Sequence, residues 1–249
     1  WPVDDVDLRE RLRQDFAREN VVVLSGFVPA SVVERMADQC AEIATLAHPS
    51  RSRSSPYLRD PDPTAPSGDP RGHAITSSVG VIAYDLVPDD HLVRRLYEDD
   101  GLLDFVAAVL GEPVLHRYAD PFGALNVTVM EDGDHLGWHF DMTDFVISLA
   151  VRASTAGGEF VNAPRIRNGD DECFADVSSV LAGTAPDRVR VEPMSPGTLM
   201  IFNGRWSMHC VAPVVGPDPR VVALLAYDRT PGTDSTDELK LARYGRLPT

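Results

Sequence analysis

The stretch Trp138-His139-Phe140-Asp141-Met142-Thr143-Asp144-Phe145-Val146-Ile147-Ser148-Leu149-Ala150-Val151 decides how the rest of this 249-residue chain is read. Its second half, Phe145–Val151, is a short apolar run of the kind that forms a buried strand. Just before it stand an imidazole and a carboxylate two residues apart. In extended backbone, residues i and i+2 point to the same side. His139 and Asp141 can therefore face one ion or one reacting group together.

The sequence on either side supports a β-rich unit. From Glu112 onward, strand-like runs alternate with turns: Val114–Tyr118, Ala124–Met130, Glu159–Val161, Val189–Glu192, Thr198–Phe202, His209–Val214 and Val221–Tyr227. Many short strands punctuated by Gly, Pro and Asp predict an antiparallel barrel or sandwich. Gly133 and Pro196-Gly197 supply turns for it. A helical insert, about Cys173–Leu181, interrupts the strands. Before residue 112 helical periodicity dominates. Asp4–Glu19 carries Val6, Leu8, Leu12 and Phe16. A second helix begins at the capping box Ser31-Val-Val-Glu34 and runs to about Ala47. His91–Gly111 is a third, broken near Asp100–Gly101. Val21–Leu24 is a strand between the first two. Residues 49–70 hold six prolines and read as a long loop, either a mobile surface segment or a lid over a site. The expected organisation is one α+β domain over 1–249. It has a mainly helical part (1–111) packed outside a β core (112–229), and a C-terminal tail (230–249).

Composition excludes several classes of function. The formal net charge is −15, which opposes binding to a phosphate backbone. Of the 23 basic residues all but Lys240 are arginine. No Gly-Lys-Ser/Thr phosphate loop is present, and Schiff-base chemistry would have to use Lys240. No apolar run reaches the roughly 18–20 residues of a membrane span. Cys40, Cys173 and Cys210 are scattered without a CxxC, so a reducing cytoplasm is the expected compartment. The chain begins at Trp1 rather than Met, which reads as a trimmed start and leaves a removed targeting segment open.

The histidines return the argument to chemistry. His209 opens a predicted strand seventy residues after His139. Two histidines and a carboxylate on one face of a metal leave three positions free, the facial arrangement of non-haem Fe(II) oxygenases. Arg220 begins the next predicted strand, and a hairpin would bring it alongside His209. A guanidinium there suits bidentate recognition of a carboxylate.

With these residues in place, the sequence resembles the Fe(II)/2-oxoglutarate-dependent oxygenases. Trp138-His139-Phe140-Asp141, Gly157-Gly158-Glu159-Phe160, Arg165-Ile166-Arg167 and Phe202-x-Gly204-Arg205-x-Ser207-x-His209 are similar to the branch that hydroxylates or halogenates free amino acids in natural-product biosynthesis. The resemblance implies a double-stranded β-helix, a jelly-roll and cupin-like fold, over about 112–229. It implies Fe(II) held by His139, Asp141 and His209. It also implies 2-oxoglutarate held by Arg220, with Asn126 and Arg205 as further cofactor contacts, O2 as oxidant and ascorbate as reductant in vitro. In halogenases of this branch the carboxylate ligand is Gly or Ala, leaving room for chloride. Asp141 therefore favours hydroxylation.

His135, Arg71, Asp228 and Tyr227 are candidate substrate contacts, and Tyr244 is a further pocket candidate. The expected substrate is a small amino acid or amine metabolite, with no nucleic-acid or membrane partner; the oligomeric state is open. Three readings compete with hydroxylation. One keeps the cofactors but ends in desaturation or oxidative ring formation. Another is a non-catalytic cupin-like metal-binding or sensor protein. The third is a zinc hydrolase on the same triad.

Overall fold

In the computed structural model, which describes residues 1–248, the apolar periodicity at the start produces helix α1 (Val6–Glu19). Asp5 caps it by accepting from the Leu8 amide, and Asn20 closes it in the left-handed region. Strand β1 (Val21–Leu24) and helix α2 (Ala30–Glu42) follow. The capping box at Ser31 and Glu34 does not form. Helix α2 starts earlier, at Ala30, and the Pro29 carbonyl receives the Val32 and Val33 amides at 2.9 and 3.0 Å. Ser31 thus lies inside the first turn. The helix also stops at Glu42, short of Ala47, and a 3-10 turn at Ala44–Leu46 succeeds it.

Residues 49–70 are not all loop. Strand β2 (His48–Ser54) pairs antiparallel along its whole length with β3 (Ile75–Ile82). The Ser and Gly residues of Ile-Thr-Ser-Ser-Val-Gly-Val-Ile weaken the strand pattern, and pairing on both edges supplies what local propensity lacks. The part before residue 112 is therefore only partly helical. Helices α3 (Leu92–Glu98) and α4 (Asp100–Leu110) break at Asp99, whose side chain caps α4 through the Leu102 amide at 2.8 Å.

The remaining strands are β4 (His116–Arg117), β5 (Leu125–Met130), β6 (His135–His139), β7 (Val146–Arg152), β8 (Ala156–Gly157), β9 (Phe160–Ala163), β10 (Arg190–Glu192), β11 (Leu199–Phe202), β12 (Met208–Val211), β13 (Val214–Val215), β14 (Arg220–Leu225) and β15 (Tyr227–Asp228). Helix α5 (Phe174–Leu181) lies between β9 and β10, and α6 (Asp237–Tyr244) is the last element. The main sheet runs β1-β11-β7-β14-β5-β3-β6-β12-β9-β10, with β2 on the free edge of β3.

One folded ribbon organises this sheet. Strands β5 and β14 pair from Leu125↔Leu225 to Met130↔Arg220. After a turn in which Gly133 takes φ 85°, the ribbon continues as β6 and β12, with Leu136↔Val211 and His139↔His209. β3 bridges the corner, pairing with β5 at Gly80–Ile82 and with β6 at Ser77 and Ser78. The result is a double-stranded β-helix. It also corrects the expected hairpin. Strands β12 and β14 are not partners: β12 lies between β6 and β9, and β14 between β5 and β7. Arg220 and His209 belong to opposite walls of the barrel.

Side-chain alternation sorts the walls into two cores. Leu125, Val127, Val129, Leu149 and Ala223 face outward and pack under Leu8, Leu12, Met36, Phe105 and Val106 of the helices. Each such buried aliphatic or aromatic side chain contributes roughly 1.5–3 kcal/mol. Met130, Phe160, Met200, Phe202 and Val211 face inward and fill the barrel. The C-terminal tail is structured. Helix α6 packs on β2 and β3, and Lys240, expected in a polar stretch, is buried and salt-bridged to Asp234 at 2.6 Å. Among the described residues no helix is long and apolar enough to cross a membrane.

Candidate metal centre

Strand register brings His139 and His209 directly opposite each other, with ring centroids 4.3 Å apart. Asp141 follows the end of β6 and reaches both. Its Oδ1 lies 3.8 Å from His139 Nε2, and its Oδ2 lies 3.4 Å from His209 Nε2. Each imidazole uses Nδ1 on a backbone carbonyl, His139 on Gly137 at 2.7 Å and His209 on Ser207 at 3.0 Å. This fixes the rings and turns both Nε2 atoms toward the carboxylate. Burial and the neighbouring His209 push the His139 pKa down from 6.5 to about 4, so its imidazole is neutral, as a metal ligand must be. Asp141 Oδ2 is buried and has no hydrogen-bond partner. A buried carboxylate oxygen without a partner is costly, and a cation held by these three side chains would satisfy it. Their ligand atoms lie within 4.8 Å of one another.

Arg220 completes the electrostatics from the opposite wall. It is buried, and its contact is the Met130 sulfur at 3.7 Å. With no counter-charge, desolvation pushes its pKa down to about 10. Phe160 connects it to the histidines. This ring stacks on His209 with centroids 5.4 Å apart, and it lines with Arg220 a cavity of about 220 Å³. Arg152, Glu159 and Glu192 also border this cavity, and a desolvated guanidinium on such a wall suits an anionic ligand.

The inner face of the main sheet adds a polar row. Register places Asn126, Leu224 and Ser148 side by side across β5, β14 and β7. The Ser148 hydroxyl is buried without a partner. Sequence reasoning passed over Ser148, because an isolated serine in an apolar strand carries no local signal. Its meaning comes from the strands beside it.

The sequence matches the family described as Halogenase D over residues 4–240. The chain belongs to the Halogenase D family. Its fold is shared with several solved structures. The α-ketoglutarate-dependent epimerase SnoN from nogalamycin biosynthesis superposes with a TM-score of 0.61, at 16% identity, over 90% of this chain and 81% of SnoN. AviO1 from Streptomyces viridochromogenes Tue57 gives 0.56 at 16% identity, over 88% and 94% of the two chains. EctD from S. alaskensis, solved with 2-oxoglutarate and 5-hydroxyectoine, gives 0.54 at 16%, over 88% and 75%. At this identity the likeness is one of fold. No curated protein sequence matches this chain.

Within this Halogenase D family member the other expected residues are dispersed. Asn126 lies in the inner row; its amide donates to the Phe122 and Leu125 carbonyls at 2.8 and 3.0 Å, and its oxygen accepts from the Tyr244 hydroxyl at 2.9 Å. Arg205 faces away from the histidines: its guanidinium binds Asp144 and the Met142 carbonyl. Asp144 also binds Arg229, and these groups border a polar cleft that includes Asp228. Asp228 accepts from the Thr230 amide at 3.0 Å.

Tyr227 is buried in the outer core and also borders the cleft that includes Asp228. It stacks on Tyr97 and donates to the Tyr97 carbonyl at 3.2 Å. His135 stands four residues before His139 on β6, roughly 13 Å along the strand. It bonds to the Thr76 hydroxyl and the Gly133 carbonyl. Arg71 forms a bidentate pair with Asp69 and lies over the Phe174 ring.

The loop before Arg71 does approach the centre. The Phe140 amide donates to the Pro56 carbonyl at 2.8 Å, and Tyr57 stacks on Phe140 with centroids 5.5 Å apart. Arg167 covers the Phe140 ring at 3.9 Å and also touches Tyr57 and Trp206. Part of the Pro-rich segment thus backs Phe140, the residue between His139 and Asp141.

Proposed function

We propose that this protein is an Fe(II)- and 2-oxoglutarate-dependent oxygenase that hydroxylates an unactivated C–H bond of a small amino acid or amine-bearing metabolite. His139, Asp141 and His209 would hold the iron. Together with 2-oxoglutarate and oxygen, the bound iron supplies an oxidant able to remove hydrogen from such a bond. Arg220 holds the distal carboxylate of 2-oxoglutarate, which gives its buried charge a partner. Ser148, with its unpartnered buried hydroxyl, offers a polar contact on the same wall as Arg220, while Asn126 spends its amide protons on the Phe122 and Leu125 carbonyls. Phe160 and Phe202, packed against His209, keep water from the apolar side of the site. The protein's work is to bind, orient and exclude water.

The observation that carries hydroxylation over halogenation is Asp141. A carboxylate stands at the position that halogenases of the resembling branch leave as Gly or Ala. Its unpartnered Oδ2, close to both imidazoles, is placed to ligate and so to fill the site a halide would need.

The test is succinate formation from 2-oxoglutarate with Fe(II), ascorbate and oxygen, screened over free amino acids and amines, with products weighed by mass spectrometry. The expected result is a product heavier by one oxygen and no turnover in His139→Ala. Incorporation of chloride would overturn the hydroxylase reading. Loss of two hydrogens would assign desaturation or ring formation instead. An absence of turnover with every amine and amino acid would favour a metal-binding protein without catalysis.

A further inference from the structure

Two cavities lie toward opposite ends of the barrel and share no lining residue. The polar cleft is bordered by Thr143, Asp144, Phe145 and Tyr227. The Arg220 cavity is bordered by Ala150, Arg152, Phe160 and Val222. Two strands run from one to the other. β7 follows Phe145 at the cleft and ends with Arg152 at the cavity, roughly 23 Å of extended chain. β14 starts at Arg220 in the cavity, and Tyr227 at the cleft comes just after its end.

The cleft is the opening on the metal side. Its Met142 directly follows Asp141, and its Arg205 directly follows Gly204, which lies against the Asp141 carboxylate. None of His139, Asp141 and His209 borders the Arg220 cavity. The Phe160 ring, stacked on His209, forms the partition between that cavity and the histidines.

The Arg220 cavity is also open to solvent. Its floor is buried and consists of Arg220, Phe160, Glu192 and Val222. Its rim is exposed on two lips: Ala153 and Glu159 on the loops that follow β7 and precede β9, and Val191 and Pro193 at β10. Val191 is 60% exposed although it is apolar and lies in a strand. Gly158, at φ 71°, keeps the space above the arginine clear, because a β-carbon there would stand 2.9 Å from Arg220 Cδ. A buried guanidinium thus waits at the inner end of a passage from solvent that does not cross the metal side.

We propose that this end of the barrel is a second entrance, through which 2-oxoglutarate enters and succinate leaves, while the primary substrate uses the polar cleft. This rests on the oxygenase reading, in which Arg220 holds the distal carboxylate of 2-oxoglutarate. A dicarboxylate that enters here leads with its keto-acid end past Phe160 toward the histidines, and its trailing carboxylate stops at Arg220. Met130, against Arg220, and Met194, on the cavity wall, border this route, and unbranched thioether chains re-pack readily. Co-substrate and primary substrate then exchange independently, and neither has to leave before the other.

A doorway residue is separable from a wall of the binding site by kinetics. Narrowing a doorway slows entry and exit alike and leaves the equilibrium constant alone, whereas damage to a binding contact acts mainly on the exit rate. The experiment mixes the full chain, loaded anaerobically with Fe(II), with 2-oxoglutarate in a stopped-flow instrument and follows the absorbance of the complex. The variants are Ala153→Trp and Val191→Trp, one on each lip, Glu159→Gln on the rim, and Thr143→Trp at the cleft as control. Each lip tryptophan should lower the on-rate and the off-rate together by about fivefold or more and hold Kd within about twofold. Removing the rim carboxylate with Glu159→Gln should raise the on-rate for the dianion roughly twofold at low salt, an effect that salt removes. Thr143→Trp should leave both rates unchanged. Melting temperatures identify a variant that fails to fold, and the tryptophan on the other lip then carries the test.

Unchanged rates in every folded lip variant would overturn the entrance and leave the oxygenase reading standing. Slowing by Thr143→Trp alone would overturn it by assigning the co-substrate to the cleft. A lip variant that raises Kd through the off-rate alone would make the lip a binding wall and also overturn it. Failure of the wild type to bind 2-oxoglutarate at all would strike the oxygenase reading itself.

Discussion

Gly204 lies directly against Asp141: its carbonyl accepts from the Asp141 amide at 3.0 Å, and a β-carbon on Gly204 would collide with the carboxylate. The two residues are 63 apart in sequence, and Gly204 begins the turn that leads into β12 and His209. The glycine therefore sets where the carboxylate can stand between the two imidazoles. Gly204→Ala should turn Asp141 away and lower metal affinity by roughly 10–100-fold, the usual effect of disturbing the groups that orient a ligand. Fluorescence-monitored titration with Fe(II) or Mn(II) measures this. Unchanged affinity would mean the carboxylate is not held by this contact.

Among the described residues, Arg220 is a buried cation with no anion. Arg220→Met should stabilise the ligand-free protein, by at most about 3 kcal/mol given the depressed pKa, because a desolvated charge is removed and an apolar chain fills its place. The same change should abolish the response to 2-oxoglutarate. In the wild type, 2-oxoglutarate at a hundred times its Kd should add about 2.7 kcal/mol. Thermal melts with and without 2-oxoglutarate test both halves. A lower melting temperature for the ligand-free variant would contradict the first.

His139 makes stability depend on pH. Its pKa is near 4 in the folded protein and near 6.5 in the unfolded chain. Below pH 6.5 the unfolded chain takes up a proton that the folded protein refuses. The stability of the metal-free protein should therefore be fullest above about pH 6.5 and fall as the pH drops toward 4, by on the order of 3 kcal/mol from this group. Urea midpoints from pH 7 to 4.5 should show the slope in the wild type and a reduced slope in His139→Gln. Parallel slopes would remove His139 as the cause.

Tyr57 separates stacking from hydrogen bonding in the strap over Phe140. Its ring stacks on Phe140, and its hydroxyl is buried without a partner. Tyr57→Phe should be neutral or stabilising by up to about 1 kcal/mol, since an unsatisfied polar group is lost. Tyr57→Ala should cost roughly 2–4 kcal/mol and expose the segment between β2 and β3 to protease. Chemical denaturation and limited proteolysis read the two outcomes. Destabilisation by Tyr57→Phe would reveal a partner for the hydroxyl.

Much of the site was legible because its signals are local. His139 and Asp141 share a side through the two-residue alternation of extended chain, and strands β5, β7, β11 and β14 announce themselves by short apolar runs. The helix break expected near Asp100–Gly101, found at Asp99, and the turn at Gly133 were equally readable, since a break or a positive φ is a property of a few adjacent residues. Other elements were hidden by the same logic. Strand β3, with Ser77, Ser78 and Gly80, has little strand propensity of its own and exists because β2, β5 and β6 pair with it. The C-terminal tail read as polar, yet Lys240 is buried beneath it with Asp234 as partner.

The sequence by itself determined the chemistry available to this protein: two imidazoles and a carboxylate suited to a metal, and arginine rather than lysine to meet carboxylates. Tertiary structure decided which of those groups act together. Arg220 faces Phe160, which stacks on His209, across the barrel rather than along a hairpin, Arg205 is turned to Asp144, and Ser148 joins the inner row from a strand with no local mark. The reason is physical. A residue's side along a strand follows from its neighbours in sequence, but what stands opposite it follows from strand register and sheet closure, which only long-range pairing sets.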